Sequence, residues 1–354
     1  MSLMAKLKKN SKVSGTSVLD QSEFFQEKEL TRIDVPMMNV ALSGRLDGGL
    51  ASGLTVLAGP SKHFKTSFAL KMASAYLDSD PEAMMLFYDS EFGSPQSYFE
   101  NFGIDTSRVL HTPITNVEEL KFDLINQLEE IGKDDKVIIV IDSIGNLASK
   151  KEVEDALDGK SVADMTRAKQ LKSLFRMVTP HLNIKDIPMV VVNHTYMEQG
   201  MYPKAIVSGG TGGMYSSDNV FVLGRQQEKE GTEIIGYNFI INVEKSRYVK
   251  EKSKIPVSVS FDGGISKWSG LLDIALESGH VIKPSNGWYS QVNLETGEVS
   301  EKKWRIKDTD SKEFWVPLLT TKSFFDFIAN KYQMAHGDII KDEDIEKELA
   351  LYED

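Results

Sequence analysis

The run Gly59-Pro60-Ser61-Lys62-His63-Phe64-Lys65-Thr66, followed by Ser67, carries the residue types that bind phosphate. Set between a strand and a helix, successive backbone N–H groups and the helix N-terminus cradle phosphate oxygens. The Lys65 ammonium then meets the terminal phosphates, and the Thr66 hydroxyl can hold Mg²⁺. The common pattern is G-x-x-x-x-G-K-[ST], and Phe64 stands where its second glycine belongs. Phenylalanine at that point needs room and a tolerable φ.

Carboxylates at the ends of apolar runs are the next chemical signal. Val137-Ile138-Ile139-Val140-Ile141 ends in Asp142. An acid at the carboxyl edge of a parallel sheet, beside a phosphate loop, reaches Mg²⁺ directly or through water. The alternative is a strand-end Asp that caps a turn. Met85-Leu86-Phe87-Tyr88 runs into Asp89 and Glu91. A carboxylate beyond a terminal phosphate orients and deprotonates water. Glu91 is the candidate base and Asp89 its competitor; in the bland reading both are solvated turn residues. Asn193 and His194 end a third apolar run, where His194 is placed either to sense a terminal phosphate or merely to finish a strand. The six histidines include no H-x-x-x-H pair, so no zinc site is expected.

These residues need a scaffold of alternating strands and helices. Strands are predicted over 54–58, 84–88, 137–141, 189–192, 219–223, 237–243 and 256–261, and helices over 65–77, 117–131 and 161–178. Continuous apolar strands between helices imply a sheet covered on both faces, hence an open α/β core. Two segments, 148–160 and 195–217, read as long loops; the first is charged, and the second holds Gly200, Gly209, Gly210, Gly212 and Gly213. Loops of that length inside a domain are usually functional or disordered. Residues 1–33 read as an N-terminal arm with a short helix over 22–30, expected to contact a neighbouring protomer or its own core. Residues 34–270 form the core. Residues 271–354 form a small C-terminal domain with helices over 269–277 and 321–332.

Composition narrows the class. The chain has 354 residues, 41% hydrophobic and 26% charged, which excludes global disorder and fibrous architecture. No apolar run approaches the roughly 18 residues of a membrane span. The absence of cysteine excludes a disulfide framework, Cys-based zinc and thiol catalysis, and fits a reducing cytoplasm. No apolar leader opens the chain, so no secretory signal is expected. Net charge is −11. Residues 338–354 hold eight acids and two lysines, a net of −6, so the rest of the chain is near −5. Bulk charge therefore does not coat nucleic acid, while a local basic surface is compatible with the sequence.

Such a surface is predicted on the 161–178 helix. Ala168, Leu171, Leu174, Phe175 and Val178 fall on one face, and Lys169, Lys172 and Arg176 on the other. Beside a Gly-rich loop, this stripe suits a phosphate backbone; a solvated helix face is the rival explanation. Lys150, Lys151, Arg167 and Lys204 are candidate additions, and Met201, Tyr202 and Met214 are candidates to wedge against bases.

Taken together, the motifs resemble those of the RecA-type strand-exchange recombinases. The resemblance rests on Pro36-Met37-Met38-Asn39-Val40-Ala41-Leu42-Ser43-Gly44, the phosphate loop, Tyr88-Asp89-Ser90-Glu91-Phe92 and Ile141-Asp142-Ser143-Ile144-Gly145-Asn146-Leu147. It extends to Asn193-His194-Thr195-Tyr196, Val243-Glu244-Lys245-Ser246-Arg247 and Asn286-Gly287-Trp288-Tyr289, and so covers nearly the whole chain in order. It implies a RecA-like P-loop ATPase core with a mostly parallel sheet, an N-terminal arm and a small C-terminal α+β domain. It also implies ATP and Mg²⁺ as cofactors. The activity implied is DNA-dependent ATP hydrolysis by a homo-oligomeric helical filament on single-stranded DNA, which exchanges strands with duplex DNA. Single-strand-binding and mediator proteins are implied partners, and no membrane is.

By the same resemblance Lys65 and Thr66 bind nucleotide and Mg²⁺, Glu91 activates water, Asp142 supports the metal and Tyr98 stacks on adenine. His194 takes the γ-phosphate switch position, where bacterial members have glutamine. Lys245 and Arg247 reach a neighbour's γ-phosphate. The segments 148–160 and 195–217 match the two DNA-binding loops. Competing readings are a ring-helicase motor, a nucleotide switch without DNA chemistry, and a small-molecule kinase, for which no lid or acceptor site is evident.

Overall fold

The computed structural model describes residues 2–13, 15–22, 28–159, 165–198, 205–261 and 264–334. In chain order, helix α1 (Leu3–Asn10) and α2 (Pro36–Ser43) precede strand β1 (Gly53–Gly59), α3 (Lys65–Ser79), β2 (Met84–Asp89), α4 (Gln96–Asn101) and β3 (Val109–Pro113). Then come α5 (Val117–Glu130), β4 (Val137–Asp142), α6 (Lys150–Leu157), α7 (Thr166–Ile184), β5 (Pro188–Met197), β6 (Ala205–Val207) and α8 (Thr211–Ser216). The long strands β7 (Asn219–Glu230) and β8 (Glu233–Ser246) are followed by β9 (Lys254–Ser260), β10 (Gly264–Ile265) and α9 (Leu271–Glu277). The chain continues through β11 (Val281–Ser285), β12 (Trp288–Gln291), β13 (Trp304–Arg305), α10 (Lys312–Leu318) and α11 (Lys322–Tyr332).

The main sheet has the order β10-β9-β8-β7-β1-β5-β4-β2-β3. From β7 to β3 all pairings are parallel, whereas β8, β9 and β10 extend it antiparallel. Side chains alternate between two cores, as period 2 requires. On β4, Ile138 and Val140 enter one core beneath α2 and α3, and Ile139 and Ile141 enter the other beneath α5 and α7. This is the expected mixed, mostly parallel α/β sheet covered on both faces. A second, three-stranded antiparallel sheet, β11-β12-β13, follows it. Phe314, Trp315, Phe324 and Ile328 of the C-terminal helices join the same core as Val40 and Val257. Where α2 meets the end of α11, a Cβ at Gly44 would come within 2.8 Å of the Gln333 Cα, and φ there is +76°.

Several elements differ from the sequence expectation. The charged segment 148–160 contains α6 instead of a loop. Ser149 and Glu152 form a reciprocal capping box at its start, and the S-x-x-E spacing is that motif. The described parts of 195–217 hold regular elements where a loop was expected: β5 runs on to Met197, pairs antiparallel with β6, and α8 follows. Helix α7 continues beyond Val178 through Pro180, because buried Leu182 still serves the apolar stripe. Of the helix expected over 22–30, residues 23–27 lie outside the described residues, and 28–30 are not helical. Among the described residues, no helix is long and apolar enough to cross a membrane.

Candidate active site

Parallel pairing gathers the predicted residues along one sheet edge. The carboxyl ends of β1, β5, β4 and β2 are neighbours, with Gly59 opposite His194 and Asp89 opposite Asp142. Such edges are where open α/β sheets bind ligands. Here a cavity of ≈ 500 Å³ is lined by residues 61–67, Glu91, Tyr98, Asp142, His194, Arg225 and Tyr237, among others. Gly59 and Pro60 lead into it from β1. Two hollows of ≈ 600 and ≈ 780 Å³ lie elsewhere. The first mixes charges of both signs around Lys28 and Asp186, and the second lies beside β12 and α10; neither combines a phosphate loop with an unsatisfied carboxylate.

Phe64 precedes α3 without a side-chain cap, so the first N–H groups of that helix keep their bonding capacity for a ligand. Phe64 takes φ 53° and Lys62 φ 61°, conformations that cost an L-residue about 1–2 kcal/mol each. The Phe64 ring lies 5.4 Å from Phe239 and 6.4 Å from Tyr237. Aromatic pairs of this kind contribute about 0.5–1.5 kcal/mol each beyond their buried area, enough to offset the strain at Phe64. Strand β8 thus supplies the room that phenylalanine needs. His63 also sits against Phe239 and donates from Nδ1 to the Ser61 carbonyl, 3.0 Å away. Burial lowers the His63 pKa. Lys65 is buried, donates to the Pro60 carbonyl at 2.9 Å, and has its pKa lowered by desolvation.

Thr66 Oγ1 donates to Asp142 Oδ2 at 2.6 Å. The other oxygen, Oδ1, is buried with no hydrogen-bond partner, and burial pushes the carboxyl pKa up to about 6. A buried carboxylate with an unsatisfied oxygen beside a threonine hydroxyl fits a hard divalent cation. Ser67 and the Tyr98 hydroxyl are 2.5 Å apart, and Tyr98 packs edge-on to Phe102.

Glu91 is held from three sides. Its Oε1 accepts from Ser143 Oγ at 2.8 Å and Asn146 Nδ2 at 3.2 Å, and lies 3.1 Å from His194 Nε2. The His194 hydrogen bond leads the causes that hold its pKa below the usual carboxylate value. Asp89 is occupied differently: Oδ1 accepts from the Glu91 and Phe92 N–H groups, and Oδ2 faces His111. The competitor is therefore the turn-former that presents Glu91. Ser143, Gly145 and Asn146 stand in the motif after Asp142 that carries the resemblance, but the sequence reading gave them no role. A Cβ on Gly145 would come within 2.2 Å of the His194 ring. Arg225 and Tyr237 were also missed: Arg225 lies on the polar extension of β7 beyond the predicted strand, and Tyr237, within a predicted strand, belongs to no recognised motif.

Lys245 and Arg247 are not at this cavity. They stand at the opposite edge, where Asn219 pairs with both Ser246 and Thr55. That is roughly 13 Å along β1 from Gly59 at about 3.3 Å per residue. Lys245 Nζ donates to the Met214 and Tyr215 carbonyls, and burial lowers its pKa. Arg247 pairs with Asp218 at 2.6 Å while its side chain stays 59% exposed.

The predicted DNA contacts divide. Lys169, Lys172 and Arg176 are exposed along α7. Arg167 is turned inward, donating to the carbonyls of Leu147, Ile144 and Gly145. Lys150 begins α6, and Lys151 pairs with Asp155. Gly209, Gly210, Gly212 and Gly213 lie where α8 meets α7; a Cβ on Gly212 would fall 2.6 Å from the Lys172 Cβ. Glycine at this point is needed for helix contact. Lys204, Met201 and Tyr202 lie outside the described residues. Met214 packs on the core, while Tyr196 and Tyr215 are exposed.

The RecA N-terminal domain family matches residues 12–266. The chain belongs to the RecA family. The family described as bacteriophage T4 recombination and repair protein, C-terminal domain, matches residues 268–328. The recombination and repair protein of Enterobacteria phage T4 is 52% identical over 351 residues, covering 98% of this chain and 89% of that protein. Protein RecA of Nocardioides sp. (strain ATCC BAA-499 / JS614) is 25% identical, covering 75% of each chain. Protein RecA of Cutibacterium acnes is 26% identical, covering 78% of each. RecA membership brings nucleotide binding with it.

Proposed function

We propose that this RecA-family chain is a DNA-dependent ATPase that forms helical filaments on single-stranded DNA. In them it pairs homologous duplex and exchanges strands in recombination, repair and recombination-dependent replication. One connection carries the reading. Glu91 bonds His194; the His194 carbonyl accepts from Ser208 N at 2.9 Å, and Asn193 Nδ2 donates to the Ser208 carbonyl at 2.8 Å. Hydrolytic carboxylate and Gly-rich loop are thus joined through a few hydrogen bonds.

In this mechanism the loop N–H groups and Lys65 hold the phosphates of ATP, with Tyr98 against the base. Thr66 and Asp142 would hold Mg²⁺, which would supply positive charge against the phosphates. Glu91, kept ionised by its partners, orients water and accepts its proton. His194 exchanges its Glu91 bond for the terminal phosphate and so reports nucleotide state to residues 195–217. Lys245 and Arg247 act on the site of the next protomer, where charge supplied in trans favours hydrolysis. The α7 stripe meets DNA phosphates. Further partners are single-strand-binding and mediator proteins, in the cytoplasm of a phage-infected cell.

Joint-molecule formation between circular single strands and homologous linear duplex, with ATP and Mg²⁺, tests this. Joint molecules together with filaments support it; closed hexamers that unwind duplex would replace it with a helicase.

A further inference from the structure

Gly59 is followed by six residues, none of them glycine, before Thr66. Two of them, Lys62 and Phe64, nevertheless hold left-handed φ. A loop built this way does not keep its shape by glycine freedom, so contacts from outside must hold it. The Phe64 ring has one such contact on β8. The other reaches the backbone itself. Arg225, on β7, donates from Nη1 to the Lys62 carbonyl at 2.8 Å. Its guanidinium also lies 4.5 Å from the centre of the Tyr237 ring, and Tyr237 in turn packs against Phe64 and Phe239. Arg225, Tyr237 and Phe64 therefore form a continuous brace across both left-handed residues, and all three line the cavity.

We propose that Arg225 is a positioning residue for nucleotide binding: it clamps the Lys62 carbonyl, with Tyr237 as its platform, and so preforms a phosphate loop that lacks its second glycine. The clamp acts before nucleotide arrives, by removing the ordering that binding would otherwise require. It acts through the loop rather than on one phosphate, so it supports every nucleotide that uses the loop. The inference rests on the nucleotide reading of this cavity.

The test compares wild type, Arg225→Ala and Arg225→Lys for ATP and ADP dissociation constants, for KM and kcat of DNA-stimulated hydrolysis, and for melting temperature without nucleotide. Arg225 is solvent-exposed, so the nucleotide-free melting temperature is expected to stay put. Arg225→Ala is expected to weaken ATP and ADP alike by about tenfold, the scale of one charge-assisted hydrogen bond, and to raise KM with kcat nearly unchanged. Arg225→Lys, which keeps a donor without the flat guanidinium, should recover part of the loss. Unchanged affinities would overturn the proposal. A loss confined to ATP would also overturn it, by making Arg225 a γ-phosphate contact, as would a fall in nucleotide-free melting temperature in both variants that accounts for the weaker binding. Wild type that binds neither nucleotide would instead remove the nucleotide reading itself.

Discussion

One oxygen of Glu91 faces Ser143, Asn146 and His194 together, and this crowding sets how the carboxylate titrates. Its folded-state pKa lies below the ordinary 4.5, chiefly through His194. The stabilisation this gives is complete above pH 4.5 and is lost as pH falls through the depressed value. His194→Ala should raise the Glu91 pKa. The acid limb of the hydrolysis profile would then move to higher pH, and kcat against pH at saturating ATP measures it. Gly145→Ala should displace the same imidazole by steric contact and slow hydrolysis about ten- to a hundredfold; the nucleotide dissociation constant, expected to hold steady, separates misplacement from misfolding. At this scale Lys65, Thr66, Glu91 and Asp142 were legible because each ends or follows an apolar run. Gly145, Ser143 and Asn146 were not, since their partners arrive from strands about 50 residues away in sequence.

Among the elements, α7 and α8 decide how DNA can be met. Contact between the two helices uses Gly212 and buries Leu171 and Phe175, leaving Lys169, Lys172 and Arg176 outward. Replacing all three by alanine should lower the slope of log affinity against log salt for single strands by about 2, without changing helicity; salt titrations of binding measure it. Arg167→Ala belongs to a different class. It removes three carbonyl contacts that tie α7 to the segment after β4, so thermal stability should fall by about 1–3 kcal/mol. The periodicity of α7 was readable because its apolar stripe is long. Helix α6 was misread because charge outweighed the Ser149–Glu152 spacing in the reading, and β7 ran longer than expected because Arg225 to Glu230 is polar on both faces.

For the whole molecule, the phosphate loop and the pair Lys245 and Arg247 occupy opposite edges of one sheet. A single protomer leaves them apart, and the proposed head-to-tail filament would bring one edge against the other. Arg247→Ala should therefore reduce DNA-dependent hydrolysis by up to about 1,000-fold. Lys65→Ala and Arg247→Ala subunits, each nearly inactive alone, should regain part of the activity when mixed, because the first supplies Arg247 to the intact phosphate loop of the second; mixing titrations measure this. The parallel order of the central strands follows from their apolar runs. The antiparallel extension, and the sharing of one core by the C-terminal helices, depend on contacts such as Gly44 with Gln333 that no local pattern announces.

The central claim is that one cavity hydrolyses ATP under the control of bound DNA. Steady-state ATP hydrolysis with Mg²⁺, with and without single-stranded DNA, for wild type and Lys65→Ala, tests it most directly. The account predicts strong stimulation by DNA in wild type and at least about a hundredfold loss in the variant. Hydrolysis indifferent to DNA, or stimulation that survives Lys65→Ala, would contradict it.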